Sequence, residues 1–142
     1  MKFKRFNGLG KFRFALKLNP LNLLNFSTMK ITIADLPSFV ISKGFTAQMF
    51  HTESMTLAYV DVEAGAELPE HSHFHEQVSN MLEGEFEFVL GGEKMLLQAG
   101  DCLVIPSNMP HSGRALTHCR ILDVFNPIRE DFRKGEVAYA RR

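Results

Sequence analysis

The sequence predicts an all-β domain, a sandwich or a closed barrel, on three observations. Short segments alternate apolar and polar residues with a period of two. Turn residues punctuate them at short intervals. Helical periodicity is scarce from Met29 onward.

The elements follow in order. Thr56–Val62 alternates apolar and polar side chains and stops at Glu63-Ala64-Gly65-Ala66, a turn. In Glu83–Leu90, Phe86 and Phe88 fall on one face and Glu85 and Glu87 on the other. Gly91-Gly92 reads as a tight hairpin turn, because adjacent glycines supply the positive φ that primed turns require. Lys94–Gln98 returns, Ala99-Gly100-Asp101 turns again, and Cys102–Ile105 reads as a short, fully apolar strand. Pro106-Ser107-Asn108-Met109-Pro110 is a loop, and Cys119–Phe125 is a further strand stopped by Asn126-Pro127. Over Arg129–Arg142 the pattern does not choose between a short helix and an irregular segment.

The chain of 142 residues is long enough for one domain with a sizeable core. Its 45% apolar and 23% charged content is that of a globular protein, and no run approaches the roughly 20 apolar residues of a membrane span. No membrane partner is expected. Phe supplies the core aromatics, since Trp is absent.

The net charge of zero conceals an asymmetry. Residues 1–28 carry six basic side chains and no acid, whereas the remainder carries ten basic and sixteen acidic ones. A basic tail on an acidic body is not the broad basic face of a nucleic-acid binder, so no nucleic-acid partner is expected. Lys17, Asn19, Pro20, Asn22 and Asn25 interrupt every candidate apolar run that a secretory signal would need. Residues 1–28 therefore read as a poorly ordered extension, or as sequence upstream of a working start at Met29, ahead of a domain at 29–142. Cys102 and Cys119 form no metal or redox spacing and read as two small buried strand residues, which fits a reducing cytoplasm.

The chemistry concentrates in histidines. His71, His73 and His75 lie together, Gln77 follows, and His111 stands forty residues beyond His71. In a strand, His71 and His73 would share a face and aim two imidazoles at one point, a pattern that suits a first-row divalent metal. His75 has the same parity, and Glu76 offers a carboxylate one residue before Gln77. His51 and His118 lie outside the cluster and read as surface or partly buried side chains.

Two spacings resemble the paired motifs of the cupins. Gly65, five residues, His71-x-His73, three residues, Gln77, six residues and Gly84 is similar to the first motif. Gly100, five residues, Pro106, then Asn108 and His111 is similar to the second. The resemblance implies a cupin jelly-roll barrel, a double-stranded β-helix, with a divalent ion (nickel, zinc, iron or manganese) held by His71, His73, Gln77 and His111. Two positions depart from the pattern. Asn108 stands where a glycine is usual, and Asn also tolerates left-handed geometry. Gln77 stands where a glutamate is usual, so three neutral imidazoles and a carboxamide would leave the ion's double charge uncancelled, a stronger Lewis acid and a better seat for an anion.

In Ile121–Phe125, parity puts Ile121, Asp123 and Phe125 on one face and Leu122 and Val124 on the other. An unpaired carboxylate between two apolar neighbours is costly to bury, so Asp123 either pairs with Arg114, Arg120 or Arg129 or lines a polar cavity. The cavity is the preferred reading. The apolar even face needs a cover, for which a homodimer partner is the expectation.

The blocks at 71–77, 83–94 and 123–132 are similar to the pectin-degradation cupins of the KdgF group. That resemblance implies conversion of 4,5-unsaturated monouronates, from pectin or alginate lyase action, to linear 4-deoxy-5-keto uronates. It implies Asp123 as acid and base, with Phe125 and Arg129 positioning a small anionic sugar. Arg129 would grip the carboxylate by a two-pronged hydrogen bond. The alternatives are a metal-dependent dioxygenase and a non-catalytic cupin that binds a sugar acid.

Overall fold

The computed structural model describes residues 30–135. The extension at 1–28 and the last seven positions of the chain lie outside them. Ten strands are present: β1 (Ser38–Ser42), β2 (Phe45–His51), β3 (Thr56–Val62), β4 (Glu67–His71) and β5 (Glu76–Glu83), then β6 (Glu85–Leu90), β7 (Glu93–Gln98), β8 (Cys102–Ile105), β9 (His111–Ala115) and β10 (Cys119–Asn126). A single 3-10 turn precedes β1, and the four-residue helix α1 (Glu130–Arg133) follows β10. No helix among the described residues is long and apolar enough to cross a membrane.

The strands form two antiparallel sheets, six-stranded in the order β1-β2-β3-β10-β5-β8 and four-stranded in the order β4-β9-β6-β7. Sequence neighbours are thus often separated in space, the topology of a jelly roll. The inner faces carry the alternation read from sequence. Thr56, Ala58, Val60 and Val62 point inward from β3, and Phe86 and Phe88 from β6. Phe86 stacks against Phe88 at 4.6 Å between ring centroids and meets Phe45 of the facing sheet edge-on at 6.4 Å. Removing that ring leaves a void that both sheets line. Phe86→Ala is expected to lower unfolding free energy by about 3–5 kcal/mol, read from urea denaturation.

Two expectations about elements need correction. The segment Glu83–Leu90 is not one strand, because Gly84 breaks it at φ +85. A Cβ there would sit 2.2 Å from the carbonyl oxygen of His118, so the chain turns where only glycine fits. Strand β8 is apolar, but of its residues only Ile105 is buried. It is the edge of the larger sheet, with Val104 56% exposed and Cys102 exposed beside Asn80, so only Cys119 is the buried cysteine expected. Asn108 does take the left-handed conformation, at φ 62. Leu122 and Val124 are half-buried on the outer face of the larger sheet.

Candidate metal centre and acid–base site

His71 ends β4 and His111 begins β9, and the two are direct cross-strand partners. Their rings lie 4.1 Å apart between centroids. His73 lies beyond the end of β4, so it joins them not by strand parity but because the loop after His71 folds back. That loop is pinned by the Asn108 amide, which donates to the His73 carbonyl at 2.7 Å, and by the Ser107 hydroxyl, which donates to the Phe74 carbonyl. One ring nitrogen from each of His71, His73 and His111 falls within 4.8 Å of the others.

The hydrogen bonds orient all three rings the same way. Nδ1 of His71 meets the Pro69 carbonyl at 2.8 Å, Nδ1 of His73 the His75 carbonyl at 3.1 Å, and Nδ1 of His111 the Met109 carbonyl at 2.9 Å. A carbonyl only accepts, so each Nδ1 carries the proton and each Nε2 presents a lone pair. Burial is the main cause that lowers all three pKa values, to about 4 for His71 and His73, so the rings are neutral near pH 7.

This donor set fits a divalent ion. Nε2 of His111 is buried with no hydrogen-bond partner. Nε2 of His73 stands 3.1 Å from Oε1 of Gln77. With Nδ1 protonated these are two lone-pair atoms turned toward one another, an arrangement that a shared cation reconciles. Gln77 is 6% exposed and points inward from β5, whereas Glu76 faces outward and is exposed. His75 is not part of the cluster. Its Nε2 bonds the Ile128 carbonyl at 3.2 Å and its ring stacks on Phe74, so it tethers the segment that leads to Arg129.

Asp123 points into the barrel and lines a cavity of about 50 Å³ together with His71, Gln77, His111, Phe125 and Arg129. Its Oδ1 accepts from the Ser79 hydroxyl at 2.5 Å and from the Gln77 side-chain amide at 3.0 Å. Burial raises its pKa to about 6, against the lowering effect of those two bonds and of the Arg129 charge. Gln77 is the link, since its oxygen faces His73 and its nitrogen faces Asp123. Ser79 is a site residue that the sequence reading missed. The available signal was parity, because Ser79 lies two residues after Gln77 on the same face. Its pairing with Asp123 depends on the β5–β10 register.

Phe125 is buried and meets His73 edge-on at 5.6 Å. Arg129 is 2% exposed, with its guanidinium carbon 3.8 Å over the Phe132 ring and 5.0 Å from the Phe125 centroid. The two-pronged grip expected for a substrate is made within the chain, by Nε to Oδ1 of Asp131 at 2.9 Å and Nη2 to Oδ2 at 2.6 Å. His51 and His118 lie off the centre. His51 bonds the Thr56 hydroxyl at 2.8 Å, and His118 lies 3.8 Å from Asp61 at the surface.

Residues 58–125 match the cupin domain family Cupin_2. The pectin degradation protein KdgF of Dickeya dadantii (strain 3937) is 32% identical over 83 residues, which cover 57% of this chain and 76% of that protein. The solved structure of KdgF from Halomonas sp. aligns with a TM-score of 0.66 at 29% identity, over 70% of this chain and 93% of the other. An RmlC-like cupin from Shewanella frigidimarina aligns at 0.70 and 31%, over 75% and 96%. Salicylate 1,2-dioxygenase from Pseudoaminobacter salicylatoxidans aligns at 0.59 and 23%, over 63% of this chain and 28% of that one, a likeness that extends to the fold alone. With the jelly roll, the converging histidines and a relative matched over three quarters of its length, the chain belongs to the cupins and is KdgF-like.

Proposed function

We propose that this chain opens the ring of 4,5-unsaturated monouronates, from pectin or alginate lyase action, to give linear 4-deoxy-5-keto uronates. The observation that carries the reading is an inward-facing carboxyl, Asp123, joined through Gln77 to His73, one of three convergent imidazoles. The likeness to the pectin degradation protein KdgF of Dickeya dadantii supports a substrate derived from pectin.

His71, His73, His111 and Gln77 would hold a divalent ion, which would supply positive charge to anchor sugar oxygens. The remaining work falls to side chains. A carboxyl with a pKa near 6 is poised to act as both acid and base close to neutrality. Asp123 gives its proton to C4 while water attacks C5, and takes a proton from that water. The product of this addition is a cyclic hemiketal. Asp123 then relays the proton of the new hydroxyl to the ring oxygen as the C5–O bond breaks, which leaves a ketone at C5 and, at C1, an aldehyde hydrate that releases the elements of the added water. Each cycle returns the carboxyl to its starting state. Phe125 walls the cavity beside His73, and the Arg129 charge favours the sugar carboxylate.

The test is direct. The purified chain is mixed with the unsaturated monouronates released by a pectate or alginate lyase, and the ultraviolet absorbance of the ring is followed. Loss over many turnovers is the expected result. Constant absorbance with metal-loaded protein overturns the reading.

A further inference from the structure

Asp131 lies outside the barrel, in the first turn of α1, and is not among the residues that line the cavity. It nevertheless makes the shortest ion pair among the described residues, with Arg129 at 2.6 Å. Arg129 sits at the junction of every other part of the site. It lines the cavity together with His71, Gln77, His111, Asp123 and Phe125. Where the guanidinium lies therefore decides how an anion is met inside the barrel.

Three contacts fix that position. The Arg129 backbone N–H donates to the Thr56 hydroxyl at 2.9 Å, and His51 bonds the same hydroxyl from behind. His75 holds the preceding carbonyl, that of Ile128. These two secure the backbone, and the side chain packs over Phe132 and beside Phe125. The third contact acts on the side chain itself. Asp131 accepts from Nε and Nη2 in parallel, which sets the orientation of a guanidinium whose carbon lies 3.8 Å over the Phe132 ring. A paired fork of this kind defines orientation as well as distance.

We propose that Asp131 is a positioning residue, which clamps Arg129 so that its charge is presented to an anionic sugar at one place beside Phe125. The inference rests on the function proposed above, and it concerns substrate binding rather than proton transfer. Asp131 touches no reacting atom, so its removal should weaken binding and spare the chemical step.

The expected result for Asp131→Ala is a KM for the unsaturated monouronate raised about tenfold, the order of one charge-assisted hydrogen bond, with kcat within about threefold of wild type. Asp131→Asn keeps one acceptor oxygen and should fall between the two. Simple structural support would instead lower the melting temperature and leave KM unchanged. A wild-type KM in both variants, with the parent enzyme active, overturns the proposal and leaves the ring-opening reading intact. A second readout does not depend on turnover. The Nε–H of Arg129, followed by ¹⁵N–¹H spectroscopy of labelled metal-loaded protein, should be protected from exchange in the parent and lose that protection in Asp131→Ala. Should the parent convert no unsaturated uronate, the ring-opening reading fails. An unchanged Nε–H signal in Asp131→Ala would then overturn the clamp, and a lost one would support it.

Discussion

Asp123→Asn is expected to reduce kcat by about 10²–10⁴-fold, the range that positioned acid–base assistance contributes. The amide has the shape of the carboxyl, and its oxygen can still accept from Ser79 and Gln77, which now donate to Oδ1. Fold and metal content should therefore be preserved, while the group that moves the proton is gone. The check pairs initial rates of absorbance loss with metal stoichiometry on the same preparation. A variant within a few-fold of the parent rate would remove Asp123 from the acid–base role. Simultaneous loss of metal would show instead that the carboxyl supports the centre through Gln77.

Dialysis against a strong chelator is expected to bring turnover to background, and a divalent ion added back should restore it. The four donors reach the centre from β4, the loop after it, β5 and β9, so the ion would tie both sheets together. An ion that binds only the folded chain stabilises it by about 2.7 kcal/mol at a concentration one hundred times its Kd. The chelated protein should accordingly melt at a lower temperature. His71→Ala should reproduce the loss of activity, because His71 is one of three rings whose Nε2 atoms converge and its Nδ1 is already engaged by Pro69. Full activity in chelated protein, verified as metal-free, would exclude a catalytic ion.

Much of this site is local, and local features are visible in sequence. Period-two alternation in Thr56–Val62 is a consequence of strand geometry, and that strand has the predicted bounds. The same parity sends Ile121, Asp123 and Phe125 inward together, since one face of β10 has to meet the core. The left-handed turn at Asn108 is equally a property of residue type. The histidine spacing singles out His71 and His73, and the cupin resemblance adds His111, although the parity argument for His73 relies on a strand that ends two residues too early.

Other assignments needed contacts distant in sequence. Ser79 and Asp123 are forty-four residues apart, and only the β5–β10 register makes them partners. His75 has the parity to compete with Gln77 for the centre, but the Ile128 carbonyl, fifty-three residues on, takes its Nε2. Cys102 reads as buried because its strand is apolar, yet burial depends on whether a strand is central or at an edge. The sequence marks Arg129 as a carboxylate fork, and only the structure shows that its Nε–Nη2 edge pairs with Asp131. Residue type and period thus determined by themselves the class of fold, the inward face of β10 and the chemistry available at the centre. Which lone pair, oxygen or guanidinium edge faces which partner was decided by tertiary structure. Side-chain hydrogen bonds act over about 3 Å, and their partners are chosen by strand register and packing rather than by proximity along the chain.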